Sequence, residues 1–239
     1  EFPDLEKYIL HRLWEIDGII TDCVKNFNFH LMFTTLLNFC SNDLSAFYFD
    51  IRKDVIYCDG DKSKIRRSAR TLLEIIFNYL VRWLAPSLSF TTEEAWKAMG
   101  NQTSIHLEDF LHTPAKYENL EINENWKIIK QIRKVITGAL EIKRAEKLIG
   151  SSLEAHVDIY VESETLEKIK NYPLDEISIT SSFSLHALTN DSQGFSLEDV
   201  ADVKIAVSKT NGQKCQRCWK YKEQLIRNEI CERCDNAIA

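Results

Sequence analysis

The stretch "SKIRRSARTLLEIIFNYLVRWL", residues 63–84, decides the fold class. Its second half is apolar on nearly every side of a helix, which is typical of a helix at the centre of a bundle. Pro86 follows and ends it, because proline cannot continue a helix. The most apolar stretch, residues 71–86, does not predict a membrane span, since Glu74, Asn78 and Arg82 interrupt it and since it is too short to cross a bilayer.

Helices are predicted on both sides of this central one. Over residues 4–26 apolar side chains recur every three or four positions, which predicts a helix with one buried face. A second helix is predicted from about residue 29 toward residue 49, before the charged segment 50–61 breaks the pattern. A helix start is predicted at "TTEEAW", residues 91–96, where a threonine cap precedes glutamates. These elements predict an antiparallel helical bundle over residues 1–115.

The sequence changes character after the bundle. Residues 124–148 predict a long amphipathic helix, which Gly150 closes as a glycine after a helix should. Alternation then predicts strands, separated by a short helix and a polar loop. In chain order these are a strand at 153–161, a helix at 163–172, a strand at 176–188, a loop at 189–199 and a strand at 200–210.

Two Cys-x-x-Cys pairs stand near the end of the sequence. Four thiolates at this spacing suit the tetrahedral shell of one structural Zn²⁺, with no position left for chemistry. Two disulfides or two redox pairs are the alternatives, but structural disulfides belong to secreted chains and no thioredoxin-like unit is visible. The other cysteines, Cys23, Cys40 and Cys58, are scattered singly, which is typical of small buried apolar residues. The predicted zinc ligands are Cys215, Cys218, Cys231 and Cys234.

These patterns together predict a mainly α chain. An antiparallel helical bundle occupies residues 1–115, and a long helix with a small α/β subdomain occupies residues 116–200. A strand and a C-terminal zinc knuckle built from four cysteines follow over residues 201–239.

Charge is unevenly distributed. The net charge of −6 argues against a generally basic nucleic-acid coat, yet residues 203–222 contain no acidic side chain. Cations that neutralise phosphates beside rings that stack on bases are what single-stranded or looped RNA requires. Two alternatives are open: the cations offset the negative zinc–thiolate centre, and the tryptophan covers the metal. The candidate RNA-contacting residues of this run are Lys204, Lys209, Lys214, Arg217, Trp219, Lys220 and Lys222.

A second basic cluster, residues 62–70, enters the central helix. Arg66, Arg67 and Arg70 are candidate nucleic-acid contacts, although a solvated helix start is the ordinary interpretation of such a run. The sequence has no glycine-rich phosphate loop and no nucleophile elbow, and its six histidines lie far apart. No catalytic residue is therefore predicted.

The sequence also bears on compartment and assembly. Residues 1–10 lack the basic start and apolar run of a secretory signal, and together with the free cysteines this favours the cytoplasm. A monomer without a membrane partner is expected. The first residue is not methionine, which is consistent with a fragment of a longer protein.

Four stretches resemble one known family. "NFCSNDLSAFYFDIRKDVIYCD" (38–59), "RRSARTLLEIIFNYLVRWLAPSLSFTTEEAW" (66–96), "EIKRAEKLIGSSLEAHV" (141–157) and "KCQRCWKY…ICERC" (214–234) closely resemble the C-terminal third of bacterial isoleucyl-tRNA synthetases. The resemblance covers essentially the whole chain, in the family's order. The spacer between the two cysteine pairs is shorter than is typical of that family.

The resemblance implies a fold and a function. It implies a class I anticodon-binding helical domain, a small α/β part and a zinc-binding end, which together bind the anticodon stem-loop of tRNA(Ile). The parent ligase would hold ATP and isoleucine in a catalytic domain upstream, so this chain alone is expected to be non-catalytic.

Two alternatives come from other classes of protein. DNA-repair glycosylases of the formamidopyrimidine-DNA glycosylase type end in a similar finger of four cysteines that binds DNA. They need a catalytic N-terminal proline, and Pro3 is not the first residue here. The other alternative is a protein-interaction scaffold stapled by zinc.

Overall fold

The computed structural model of the protein describes residues 2–238, with every side chain in that range except that of Asn228. The chain divides into two compact units. A helical unit contains the residues up to Arg52 together with Lys62–Leu120. A mixed unit contains Lys53–Asp61 together with the residues from Glu121 onward.

The helices predicted at residues 4–26, 29–49 and 63–84 are present, and a further helix lies in the predicted break at residues 50–61. Regular helices span α1 (Asp4–Lys25), α2 (Phe29–Asn38), α3 (Asp50–Cys58), α4 (Lys64–Leu84) and α5 (Ser89–Ala98). The apolar periodicity of α1 places Ile9, Leu13 and Ile20 in the core, where each is fully buried. The core of this unit also contains the buried Leu72 and Ile76 of α4. The mainly helical first part of the predicted fold is confirmed.

The predicted break at residues 50–61 is wrong over its first part. A π-helical segment, Phe39–Phe49, continues from α2 and passes directly into α3, so the chain stays helical to Cys58. One of the charged residues that suggested a break, Arg52, forms a buried ion pair. Arg52 is 4% exposed, and its Nε and Nη2 atoms donate to the carboxylate of Glu6 at 2.6 and 2.7 Å.

The predicted helix start at residues 91–96 is also displaced. Helix α5 begins at Ser89, with Leu88 at its N-cap position and no side-chain cap. Thr92 lies inside the helix, where it is buried and its hydroxyl donates to the carbonyl of Leu88 at 3.0 Å. The sequence does not distinguish a threonine that caps a helix from one inside a helix, because the hydroxyl can bond to a nearby backbone group in either position.

The mixed unit pairs a small sheet with helices. Its first elements are α6 (Leu120–Ala145), β1 (Ala155–Val161), α7 (Ser163–Ile169), α8 (Leu174–Ser178), β2 (Ser182–Ala187), β3 (Phe195–Leu197) and β4 (Val200–Lys209). The strand order is β2-β1-β4-β3, with β1 parallel to β2 and antiparallel to β4. Alternate residues of β1 are buried, which confirms the strand that the alternation predicted.

Three local predictions in this unit need correction. Residues 174–178 form α8, and Ile179 turns the chain at φ +57° before β2 begins. The predicted polar loop contains the short strand β3. Helix α6 is ended by Lys147, with φ +60°, and not by Gly150. The amide of Leu148 donates to the carbonyl of Lys143 at 3.0 Å, which is the Schellman pattern with a lysine in the usual glycine position.

The end of the chain is a small hairpin and a helix. Strands β5 (Gln213–Lys214) and β6 (Tyr221–Lys222) pair antiparallel, and α9 spans Glu232–Ile238. Gly212 precedes the hairpin at φ +132°, and a Cβ atom there would lie 2.6 Å from the carbonyl oxygen of Lys222. Within residues 2–238, no helix combines the length and the apolar character that crossing a bilayer requires.

Candidate metal centre and nucleic-acid surfaces

The four predicted cysteines converge at the end of the mixed unit. Hairpin β5–β6 presents the first pair, and the start of α9 presents the second. All four side chains are buried, and their Sγ atoms lie within 4.8 Å of one another. The cluster consists of Cys215, Cys218, Cys231 and Cys234.

The spacing of the sulfur atoms suits a metal shell. A tetrahedral ion with metal–sulfur bonds of about 2.3 Å sets its sulfur atoms about 3.8 Å apart. The Sγ atoms of Cys218 and Cys231 lie 3.8 Å apart. All seven cysteines are free, so the disulfide alternative is not realised. The four thiols are placed to hold one metal ion.

The protein environment shifts the pKa values of three of the thiols, one downward and two upward. Burial by itself raises the pKa of Cys215, but hydrogen bonds from backbone N–H groups, including that of Cys231, outweigh it and lower the pKa to about 6. The amide of Cys231 is 3.3 Å from the Cys215 sulfur. Burial raises the pKa of Cys218 and of Cys234 above the ordinary thiol value. A bound cation would keep Cys218 and Cys234 ionised at neutral pH despite this shift.

A distant segment forms one wall of this cluster. Cys58, at the end of α3, is 8% exposed and packs with the four cysteines and with Ile230. The predicted burial of Cys58 is confirmed, but its place beside the metal cluster was not predicted. Arg217 donates to the carbonyl oxygens of Cys58 and Tyr57, which fastens the knuckle to the end of α3.

An ion pair fastens the other half of the cluster to the same segment. Arg233, between the last two cysteines, donates to both carboxylate oxygens of Asp54 at 2.6 and 2.8 Å. Burial raises the pKa of Asp54, but the hydrogen bonds and charge of Arg233 outweigh it and hold the pKa below its usual value. No local sequence signal could have identified this partner, because the two residues are 179 positions apart.

Trp219 lies largely in solvent. Its side chain is 60% exposed, in a turn where its φ is +66°. The Nζ atom of Lys214 lies 5.4 Å from the ring centroid, within the range of a cation–π contact. The apolar neighbours of the thiols are instead Cys58, Ile230 and the half-buried Leu225. An exposed ring with a lysine beside it is able to stack on a base.

The lysines of the acid-free run fall into two groups. Lys220 is mostly buried, with its Nζ atom 3.1 Å from Asp175, and the Nζ atom of Lys204 donates to the carbonyl of Ser192 at 2.9 Å. Lys209 and Lys222 are exposed and line one open cavity of about 450 Å³, although the Nζ atom of Lys209 also lies 3.9 Å from the carboxylate of Glu154. The cavity places two cations on the surface between the sheet and β6.

The predicted arginines at the start of α4 also differ in setting. Ser63 caps the helix by accepting from the amide of Arg66 at 3.3 Å, and the Arg66 side chain is half-buried. Arg67 and Arg70 are exposed and line an open cavity of about 570 Å³ that also contains Phe77. Two cations beside an aromatic ring on a rigid helix are able to contact a nucleic-acid backbone.

The fold brings together two histidines that are far apart in sequence. On β1 and β2, the Nε2 atoms of His156 and His186 lie 3.6 and 2.9 Å from Oδ1 of Asp158. The ring of His186 also stacks on Tyr160, with centroids 4.9 Å apart. Sequence reasoning missed this group, because only the pairing of the two strands places the residues together.

Comparisons with known proteins agree with the geometry. The family described as the anticodon-binding domain of tRNA ligase matches residues 6–159. The isoleucine–tRNA ligase of Bartonella henselae is 44% identical over 225 residues, which are 93% of this chain and 23% of the relative. That of Ruegeria pomeroyi is 41% identical over 244 residues, covering 100% of this chain and 25% of the relative. That of Pelagibacter ubique is 42% identical over 234 residues, covering 98% and 24%. The chain spans about a quarter of the length of these relatives.

Proposed function

The chain belongs to the family of anticodon-binding domains of tRNA ligases, and we propose that it is the tRNA-binding part of an isoleucine–tRNA ligase. The observation that carries this proposal is the identity of 41–44% to isoleucine–tRNA ligases over at least 93% of the chain. The family match over residues 6–159, which covers the helical unit and reaches into the sheet, supports it. The parent enzyme would be a class I ligase that attaches isoleucine to tRNA(Ile) with ATP. This chain would contribute binding and no catalytic residue, so it should not activate isoleucine by itself.

The helical unit would supply a rigid platform for the anticodon side of tRNA(Ile). Phosphate contacts fix position and orientation, and cations on a well-packed helix can make them without rearranging. Arg67 and Arg70 suit this role because both are exposed on α4. Arg66 is half-buried and suits it less.

The knuckle would supply a second surface, held in shape by one structural Zn²⁺. The four cysteines fit this ion because thiolates at tetrahedral spacing are its usual structural ligands. Trp219 would stack on an unstacked base, with Lys214 beside it, while Lys209 and Lys222 would contact phosphates. Lys204, Arg217 and Lys220 bond to the protein itself, so we assign them to positioning.

The alternatives receive less support. The glycosylase and scaffold hypotheses share the four-cysteine cluster with this chain, but neither accounts for the family match over residues 6–159. We also propose that the chain acts as a monomer, and that it acts in the cytoplasm because charged tRNA is consumed there.

A binding titration with a matched control tests the role of α4. Arg67→Ala/Arg70→Ala should weaken binding of tRNA(Ile) and make the plot of log K against log salt shallower by about 0.7 for each lost single-strand phosphate contact. The control, Lys168→Ala/Lys170→Ala, also removes two cations, but these pair with Glu164 and Glu167 on α7. Equal effects of the two double variants would contradict a specific role for α4.

A further inference from the structure

Helix α2 carries large apolar side chains on its solvent side. Phe29, Phe33 and Leu37 are 47, 39 and 67% exposed. They are spaced four residues apart and therefore lie on one face of the helix. The adjacent face contains Met32 and Leu36, which are both 3% exposed and belong to the core. The apolar arc of the helix is thus wider than the part of it that the described residues cover.

The exposed face continues into the turn before α2. Phe27 is 80% exposed at φ +56°, and its ring meets that of Phe29 edge-on, with centroids 6.2 Å apart. We call Phe27, Phe29, Phe33 and Leu37 the apolar stripe. Its three phenylalanines expose roughly 300 Å² if a free aromatic side chain offers about 200 Å². An apolar patch of this size is typical of the largest one on a soluble monomer, and such patches are often functional.

The composition of α2 indicates a surface that is permanently covered. Its sequence, FHLMFTTLLN, contains no Asp, Glu, Lys or Arg. An interface whose partner binds and dissociates must remain soluble when the partner is absent, and it usually has a rim of polar and charged residues. A helix that is apolar on most sides and lacks charge is instead typical of a protein interior.

We propose that another part of the full-length ligase packs on the apolar stripe through an apolar helix or sheet face of its own. The relatives are about four times as long as this chain, so most of the family protein lies outside the matched region. Segments of one polypeptide meet at a high effective concentration, which favours them over a separate partner. The stripe has the size of the apolar centre of an interface between domains, which buries about 600–1,500 Å².

This inference rests on membership in the ligase family and requires no tRNA contact by this chain. Loss of tRNA binding in the titration above would leave it standing. Failure of the experiment below would leave the tRNA proposal standing.

Thiol labelling tests the proposal. Phe33→Cys should react with a maleimide at least tenfold more slowly in the full-length ligase than in the 239-residue chain, with each site followed by peptide mass spectrometry. The control, Thr34→Cys, is on the same helix but off the stripe, and Thr34 is also exposed. The control should react at similar rates in the two proteins.

Two labelling results would overturn the proposal. One is equal labelling of the Phe33→Cys variant in both proteins. The other is protection in the 239-residue chain that grows with protein concentration, because it would assign the stripe to a second copy. As a check independent of labelling, Phe29→Ser/Phe33→Ser should lower the melting temperature more in the full-length ligase than in the shorter chain, where both rings are already partly exposed. Equal melting shifts in the two proteins would also contradict it.

Discussion

Replacing Trp219 with alanine tests whether the knuckle contacts an unstacked base or serves only the metal. The indole is 60% exposed. A tryptophan side chain of about 250 Å² therefore has roughly 150 Å² left to bury against a base, or about 4 kcal/mol gross at 25 cal/mol per Å². Ordering the base and the ring opposes this gain, and measured stacks are worth about 1–3 kcal/mol. We expect Trp219→Ala to weaken tRNA(Ile) binding about 5- to 150-fold.

The assay combines fluorescence anisotropy with elemental analysis on the same preparation. The salt dependence of binding should stay almost unchanged, because the indole carries no charge. Phe90→Ala is the control, since Phe90 is 88% exposed on α5 in the other unit. Unchanged affinity of Trp219→Ala with the metal retained would refute base stacking. Loss of zinc would show instead that the ring supports the metal centre.

The remaining predictions concern the metal, its docking and the packing of α6. Cys218→Ser should reduce bound zinc from one per chain to near zero and expose the end of the chain to protease, while far-ultraviolet circular dichroism retains the helical signal. Asp54→Asn should cost about 1 kcal/mol, because it breaks a bidentate but partly exposed pair with Arg233. Since the pKa of Asp54 is lowered in the folded state, this difference between wild type and variant should be full at pH 7 and shrink as pH falls below about 4 in thermal unfolding. Gly138→Ala should be destabilising, because its Cβ would lie 2.7 Å from the ring of Phe195, but should stabilise by up to about 1 kcal/mol in a Phe195→Ala background. Chemical denaturation of the four proteins checks this last expectation.

Periodicity predicted the elements whose two faces differ in polarity. Helix α1 and strand β1 follow their sequence patterns because each buries one apolar face. The passage from α2 into α3 was missed because a pattern counts every charge as solvent-exposed, whereas Arg52 is buried against Glu6. The end of α6 was missed because Lys147 occupies a left-handed position that usually selects glycine.

The candidate site was predicted as a set of residue types and not as a set of contacts. Cysteine spacing indicates a metal centre because four ligands within one short segment can converge without depending on how distant segments pack. The wall provided by Cys58 and Asp54 could not be predicted, since it depends on how distant segments pack. For the same reason, sequence alone could not separate the paired Lys220 from the exposed Lys222.

An anticodon exchange tests the central claim most directly. The chain would be titrated with tRNA(Ile), with tRNA(Ile) carrying a foreign anticodon, and with a foreign tRNA carrying the isoleucine anticodon. If the chain binds the anticodon side of tRNA(Ile), its affinity for tRNA(Ile) should fall when that RNA carries a foreign anticodon. Its affinity for a foreign tRNA should rise when that RNA carries the isoleucine anticodon, because single-stranded loop bases carry the sequence information. Equal affinity for all three RNAs, or affinity that follows the body of the tRNA and ignores the anticodon, would contradict the account.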